Sequence, residues 1–139
     1  MPDSAINAIA VKLYSLIYND STLLALATGG VYDKVPQGTA LPYVQIGEWT
    51  ETRFNCFGKK GKDVTVSLHI YSLDTDTTWG IKRCADILAR LNTLLDYVSF
   101  TVTGFTNTVY CRYEDAQTLM EENGLTRHII ARYRVIVQI

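Results

Sequence analysis

Two histidines, three cysteines and a lysine-rich stretch are the parts of this 139-residue chain that invite a chemical reading. His69 and His128 lie in alternating stretches, with no second imidazole or carboxylate at ligand spacing in the sequence. Both therefore read as surface or sheet-face histidines rather than metal ligands. Ser67 stands near His69, but that spacing is ordinary alternation along one strand face, and no Gly-x-Ser-x-Gly elbow occurs. Gly58-Lys59-Lys60-Gly61-Lys62 matches a phosphate loop only superficially. It lacks the glycine spacing and the Lys-Ser/Thr end that would open a helix on phosphate. Glu121-Glu122 reads as a solvated hairpin tip. Cys56, Cys84 and Cys111 are an odd set without metal-type spacing, which fits a reduced cytosolic fold better than a disulfide framework. No nucleophile–base pair, carboxylate pair or metal cluster can be assembled at plausible spacing, so neither enzymatic activity nor a cofactor is expected.

What these residues do depends on the elements that carry them. The 47% hydrophobic and 19% charged composition is that of a folded protein, and the length suits one domain spanning residues 1–139. A net charge of -1 gives no global attraction to nucleic acid or anionic membrane. No basic N-terminal region precedes an apolar run, and no stretch approaches a membrane span, so assembly in the cytoplasm and no membrane partner are expected.

The closing stretch, Leu125 to Ile139, organises the rest. Every second residue from Leu125, namely Ile129, Ala131, Tyr133, Val135, Val137 and Ile139, is apolar except Arg127, while Thr126, His128, Arg132, Arg134 and Gln138 are polar on the other parity. That is a long strand with one buried face. Asn107 to Met120 precedes it as a hairpin partner. A two-residue Asn-Gly turn would set Tyr113 beside Arg134. A three-residue loop, Glu122-Asn123-Gly124 with Gly124 left-handed and a bulge, sets Val109 opposite Val137, Cys111 opposite Val135, Tyr113 opposite Tyr133 and Glu114 opposite Arg132. Apolar then meets apolar and charge meets opposite charge, which favours the second register, with a further bulge allowed at Asp115 to Gln117.

Upstream, Asp3 or Ser4 caps a helix carrying Ile6, Ile9, Ala10, Leu13, Leu16 and Ile17 and ending near Asn19. Asp20 or Ser21 caps a second helix through Ala27, stopped by Gly29-Gly30. Val31-Tyr32 reads as a brief strand. Tyr43 to Arg53, with Val44 and Ile46 on one side and Trp49 on the other, pairs with Asp63 to Leu73 as a long hairpin. Asp74-Thr75-Asp76-Thr77 caps a helix with Ile81, Cys84, Ala85, Leu88, Leu91 and Leu95 on one stripe, and Val98, Phe100 and Val102 mark a further strand. The class is α+β: a largely antiparallel sheet with long hairpins and helices packed on one face.

The hairpin tip, Phe54 to Lys62, mixes aromatic and basic residues with two glycines. Phe54, Phe57, Lys59, Lys60 and Lys62 suit a protein interface or a lumen-facing contact, with Gly58 and Gly61 leaving the tip pliable. Trp49 and Trp79 read as core or rim anchors, and Trp49 joins the interface set.

Val31-Tyr32-Asp33, Val35-Pro36-Gln37-Gly38, Leu41-Pro42-Tyr43-Val44, Ile46-Gly47, Val64-Thr65-Val66 and Asn123-Gly124-Leu125-Thr126-Arg127-His128 follow one another in an order that resembles the tail-completion or tail-terminator family of long, non-contractile-tailed bacteriophages. The likeness runs from the first helix to the last strand and rests on turn and strand residues. It implies a structural virion protein at the head–tail junction, a hexameric ring that caps the tail tube, ends its polymerisation and joins it to the head. The partners implied are further copies of the chain, the tail tube protein and a head-completion or stopper protein, with DNA at most passing through the lumen. It implies no catalytic residues. A head-side connector adaptor is the alternative of the same class, and a small-molecule-binding or enzymatic α+β domain that of another.

Overall fold

The computed structural model describes residues 4–55, 57–73, 80–105, 107–122 and 124–138. Asp3, Cys56, the cap at 74–77, Trp79 and Asn123 lie outside the described residues.

Two helices open the chain, α1 (Ile6–Ile17) and α2 (Ser21–Leu26). The N-cap of α1 is Ala5, which has no capping side chain, and not Ser4 as expected, although Ser4 Oγ accepts from the Ile6 amide. The Ala5 amide is taken at 2.7 Å by Glu51, so a carboxylate from the sheet meets the positive end of the helix. Asp20 caps α2 as its type demands, accepting from Leu23 N at 2.8 Å. Arg90 then grips the same carboxylate with two hydrogen bonds of 2.9 and 2.8 Å. Strands β1 (Val31–Tyr32), β2 (Tyr43–Arg53) and β3 (Gly61–Leu73) follow, then α3 (Gly80–Leu95), β4 (Asn107–Met120) and β5 (Thr126–Gln138). They build an α+β fold on a five-stranded sheet of order β1-β2-β3-β5-β4 in which only the β1–β2 pair is parallel.

Register decides which residues face the helices. Val64, Val66, Leu68 and Ile70 of β3 stand opposite Val135, Tyr133, Ala131 and Ile129 of β5, and all eight are buried in one hydrophobic cluster with α1 and α3. The expected sides of β2 are corrected by a bulge between Gly47 and Trp49, where Glu48 takes φ 55°. The extra residue shifts the parity, so Trp49 pairs with Val66 and packs against the core on the same side as Val44 and Ile46. The same shift turns Glu51 towards α1.

Gly124 takes the expected positive φ, 70°, but the three-residue loop is corrected. Met120 pairs with Arg127 and the Glu121 amide donates to Thr126 O, so four residues, 122–125, separate the strands and odd residues pair with even ones next to the turn. Tyr113 stands opposite Tyr133, but the partner of Arg132 is Asp115, not Glu114, and Val109 stands opposite Ile136, not Val137. The longer turn sets Asp115 opposite Arg132, the irregularity at Tyr113/Asp115 brings Tyr113 opposite Tyr133, and that at Val109/Arg112 moves Val109 on to Ile136. Val98 to Val102 is not a strand. Val98 makes one isolated bridge to Cys111, and Asp96 accepts from the Tyr113 amide at 2.8 Å. These contacts cover part of the outer edge of β4. On α3 the buried stripe is Cys84, Ile87, Leu91 and Leu95, with Ala85 exposed, because Tyr133 and the sheet meet the helix one position round from the expected line.

Two outcomes test this packing. Ile87→Ala is expected to lower unfolding free energy by about 2–4 kcal/mol, while Ala85→Gln stays within about 0.5 kcal/mol, measured by urea titration. Acid unfolding supplies the second. The Arg90 hydrogen bonds lower the pKa of Asp20, and those of Arg132 lower that of Asp115. A depressed carboxylate stabilises the fold above its unfolded value of 3.8 and loses that contribution as pH falls through the folded value. Arg90→Met should therefore make stability fall less steeply with pH below 3.8.

Candidate interaction surface

The hairpin tip is shorter than its sequence suggests, because β3 begins at Gly61. Gly61 pairs with Gln138, and Lys62 with Arg53 and Val137, so both belong to the sheet. A Cβ on Gly61 would lie 2.5 Å from Phe54 O and 2.7 Å from Val137 O, both backbone atoms. Gly61 is thus a close-packed anchor rather than a pliable joint. Its carbonyl accepts from the Phe54 amide at 3.0 Å, and its own amide donates to Asn55 Oδ1 at 3.3 Å. The projecting part described is Phe54, Asn55 and residues 57–60, turned by Gly58 at φ 68°.

Within it the expected residues separate by role. Phe57 is wholly exposed, Lys59 and Lys60 are exposed, and Phe54 and Lys62 are half-buried at the base. Trp49 is not part of this group. It lines an apolar groove of about 360 Å³ between α1 and the first two strands, with Val11, Tyr14, Tyr32 and Ile46.

The opposite end of the sheet carries a surface that the alternation concealed. Leu73, Leu119, Met120 and Leu125 are between 39% and 56% exposed there. Leu125, expected on the buried face, precedes β5 and lies in the turn. Residues 114–120 of β4 are exposed on both faces of the strand. Strand length was the available signal: β4 and β5 run beyond anything a sixteen-residue helix at 1.5 Å per residue can cover. Glu121 and Glu122 stand at this end beside Tyr43 and Tyr71. One end of the sheet is therefore basic and aromatic, and the other is acidic and aliphatic.

Between the ends, the sheet face away from the helices is laced by charge. Arg134 holds Asp63 through two hydrogen bonds and approaches Glu114 at 4.0 Å, and Arg132 grips Asp115. His69 and His128 are not surface residues. Both are buried on this face, and their rings meet across β3 and β5. Among the described residues no group of three or more His, Cys, Asp or Glu side chains is placed to hold a metal ion. Nor does any described helix have the length and hydropathy to cross a membrane. The Cys111 thiol is buried against the helix layer, which pushes its pKa up to about 12 and leaves it a poor nucleophile.

The described surface thus offers two unlike ends and an ion-paired face between them. The chain is similar over its whole length to a chain in a solved structure titled "Virion of native gene transfer agent (GTA) particle", with 20% identity, a TM-score of 0.86 and 99% of each chain covered. No curated protein matches it. The family model described as tail completion protein gp17 matches residues 11–138. The chain therefore belongs to the tail completion protein gp17 family, whose members are structural tail proteins rather than enzymes.

Proposed function

We propose that this protein is the terminator of a phage tail. Copies meet head to tail in a hexameric ring that caps the finished tube, ends its growth and offers its other side to the head. The observation that supports this most directly is the pair of unlike exposed ends on one sheet. Phe57, Lys59 and Lys60 project from one, while Leu73, Leu119, Met120 and Leu125 lie at the other. A cap needs two different contact surfaces, one matching the tube and one refusing a further tube layer. Exposed aromatics with basic neighbours at one end, and aliphatics with acids at the other, meet that need.

Ring contacts between copies have open strand edges available. β1 pairs with only Val44 and Gln45 of β2, and residues 114–120 of β4 lie beyond the Val98 and Asp96 contacts. Such edges favour pairing with a neighbouring chain. The partners in this reading are other copies of the chain, the tube protein and a head-completion or stopper protein, with DNA passing through the lumen. The place is the head–tail junction of the virion, without membrane or cofactor, and the chain acts as a single domain.

Two measurements test the proposal. Light scattering at high concentration, with electron microscopy of tail ends, should show a hexameric ring on the tube, alone or only in the tube's presence. A monomer or dimer that never caps tubes would overturn it, and binding to head connectors alone would favour the adaptor role. The second concerns the tip. Replacing Asn55–Lys60 by a short Gly-Ser turn, with Gly61 retained as the strand's first residue, should leave the circular dichroism spectrum unchanged and Tm within a few degrees. Complementation of a terminator-deficient phage should fail. Full plaque yield from the shortened protein would reduce the tip to a solvated loop.

A further inference from the structure

Four side chains from separate segments meet end to end on the sheet face away from the helices. Glu48 Oε1, at the β2 bulge, lies 3.0 Å from His69 Nε2. His69 Nδ1 lies 2.8 Å from His128 Nε2, and His128 Nδ1 lies 3.0 Å from Glu121 Oε1. The two imidazoles are the only histidines of the chain, and their side chains are 10% and 7% exposed. The carboxylates at the ends reach solvent, at 72% and 41% exposure.

Proton counting constrains this row. Each of its three contacts requires one hydrogen and one lone pair. Two neutral imidazoles supply two N–H groups, and the outer contacts to the carboxylates use both. His69 Nδ1 and His128 Nε2 would then face each other as two lone pairs at 2.8 Å, a repulsive arrangement. One additional proton makes the central contact an N–H···N hydrogen bond. A second would set N–H against N–H. A metal ion fits the gap poorly, since two bonds of about 2.0–2.1 Å at a tetrahedral angle hold nitrogens about 3.3 Å apart.

We infer that His69 and His128 form a binding site for a single proton, which they share at neutral pH, and that this proton clasps the β2 bulge to the turn after β4 across the width of the sheet.

The surroundings favour one charge and resist two. Glu48, Tyr43 and Gln45 face the pair from β2, with Gln45 opposite His69. Tyr71 of β3 stacks on His128 at 4.1 Å and lies 6.3 Å from His69. Leu119 stands opposite His128 on β4, with Glu121 and Glu122 beyond it. Arg132, four residues along β5 on this face, is engaged by Asp115. Burial, followed by Glu121 for Tyr43 and by Tyr43 and then the glutamates for Tyr71, raises the pKa values of both phenols, so these rings stay neutral. Burial first, and the charge of His69 second, lower the proton affinity of His128 against the pull of Glu121. The pair thus accepts its second proton reluctantly. An unfolded histidine takes up a proton near 6.5, so this refusal costs stability as pH falls below 6.5 towards the folded value. Acid is then the condition that opens the clasp and frees Glu121 beside the exposed leucines.

Long-range proton–nitrogen NMR of the uniformly nitrogen-15-labelled protein reads the count directly, because only two imidazoles contribute. At pH 8 a lone imidazole of pKa 6.5 is about 97% neutral. The expected spectrum shows three protons over the four ring nitrogens, one ring or an exchange average carrying two. Two singly protonated rings at pH 8 would overturn the inference. His69→Gln and His128→Gln should each return the remaining ring to a singly protonated state at pH 8. A ring that stays doubly protonated in either variant would show that one carboxylate holds the proton without sharing, and would sink the clasp. Should these buried changes prevent folding, Glu121→Gln alters only a half-exposed end of the row. It should move loss of the shared proton to lower pH, and an unchanged titration would refute the row as a unit.

Discussion

Everything distinctive about this protein follows from a mismatch between sheet and helix layer. Strands of 11 to 14 residues are covered on one face by helices of 12, 6 and 16 residues. At about 3.3 Å per strand residue and 1.5 Å per helix residue, the helices cannot reach both ends of the sheet. The covered middle holds the core, including Leu68, Ile70, Leu91 and Tyr133. The overhanging ends hold the exposed residues, Phe57 at one and Leu73, Met120 and Leu125 at the other.

The face without helices solves a different problem. Long polar side chains stand close together there and must be satisfied by one another. Arg134 with Asp63, Arg132 with Asp115, and the Glu48–His69–His128–Glu121 row do so across neighbouring strands. The ion pairs are half-exposed and individually weak. Their effect is on register: slipping β5 by one residue would set Arg132 and Arg134 among the core side chains. The bulge at Glu48 belongs to the same economy of placement. It brings Trp49 to the core, Glu51 to the α1 amides and its own carboxylate to His69.

Much of this was legible in the chain. Alternation in 63–73 and 125–139 located the two central strands and their buried faces, because a half-buried strand must alternate. Asp20 announced its cap, and Gly124 its positive φ, through local chemistry that needs no tertiary context. The differences have two causes. Trp49 takes the side opposite to the expected one because a bulge shifts parity, and Asp115 rather than Glu114 meets Arg132 because the turn is one residue longer than expected. Val98 to Val102 had strand-like alternation, but only Val98 found a pairing partner among the described residues.

What the sequence determined by itself, then, was whatever depends on residues near one another along the chain: the cap of α2, strand periodicity, the positive φ of Gly124, the α+β class and the order of family-like motifs. What only the tertiary structure decided was whatever depends on residues 20 or more apart meeting with particular atoms. His69 and His128, 59 residues apart, look solitary in sequence and share a hydrogen bond in the fold. Glu51 and Ala5 meet across 46 residues, and Arg90 and Asp20 across 70. Periodicity records which face a side chain takes; it carries no information about which neighbour stands there. That neighbour is set by register, and register by bulges whose position depends on the energy of the whole assembled sheet.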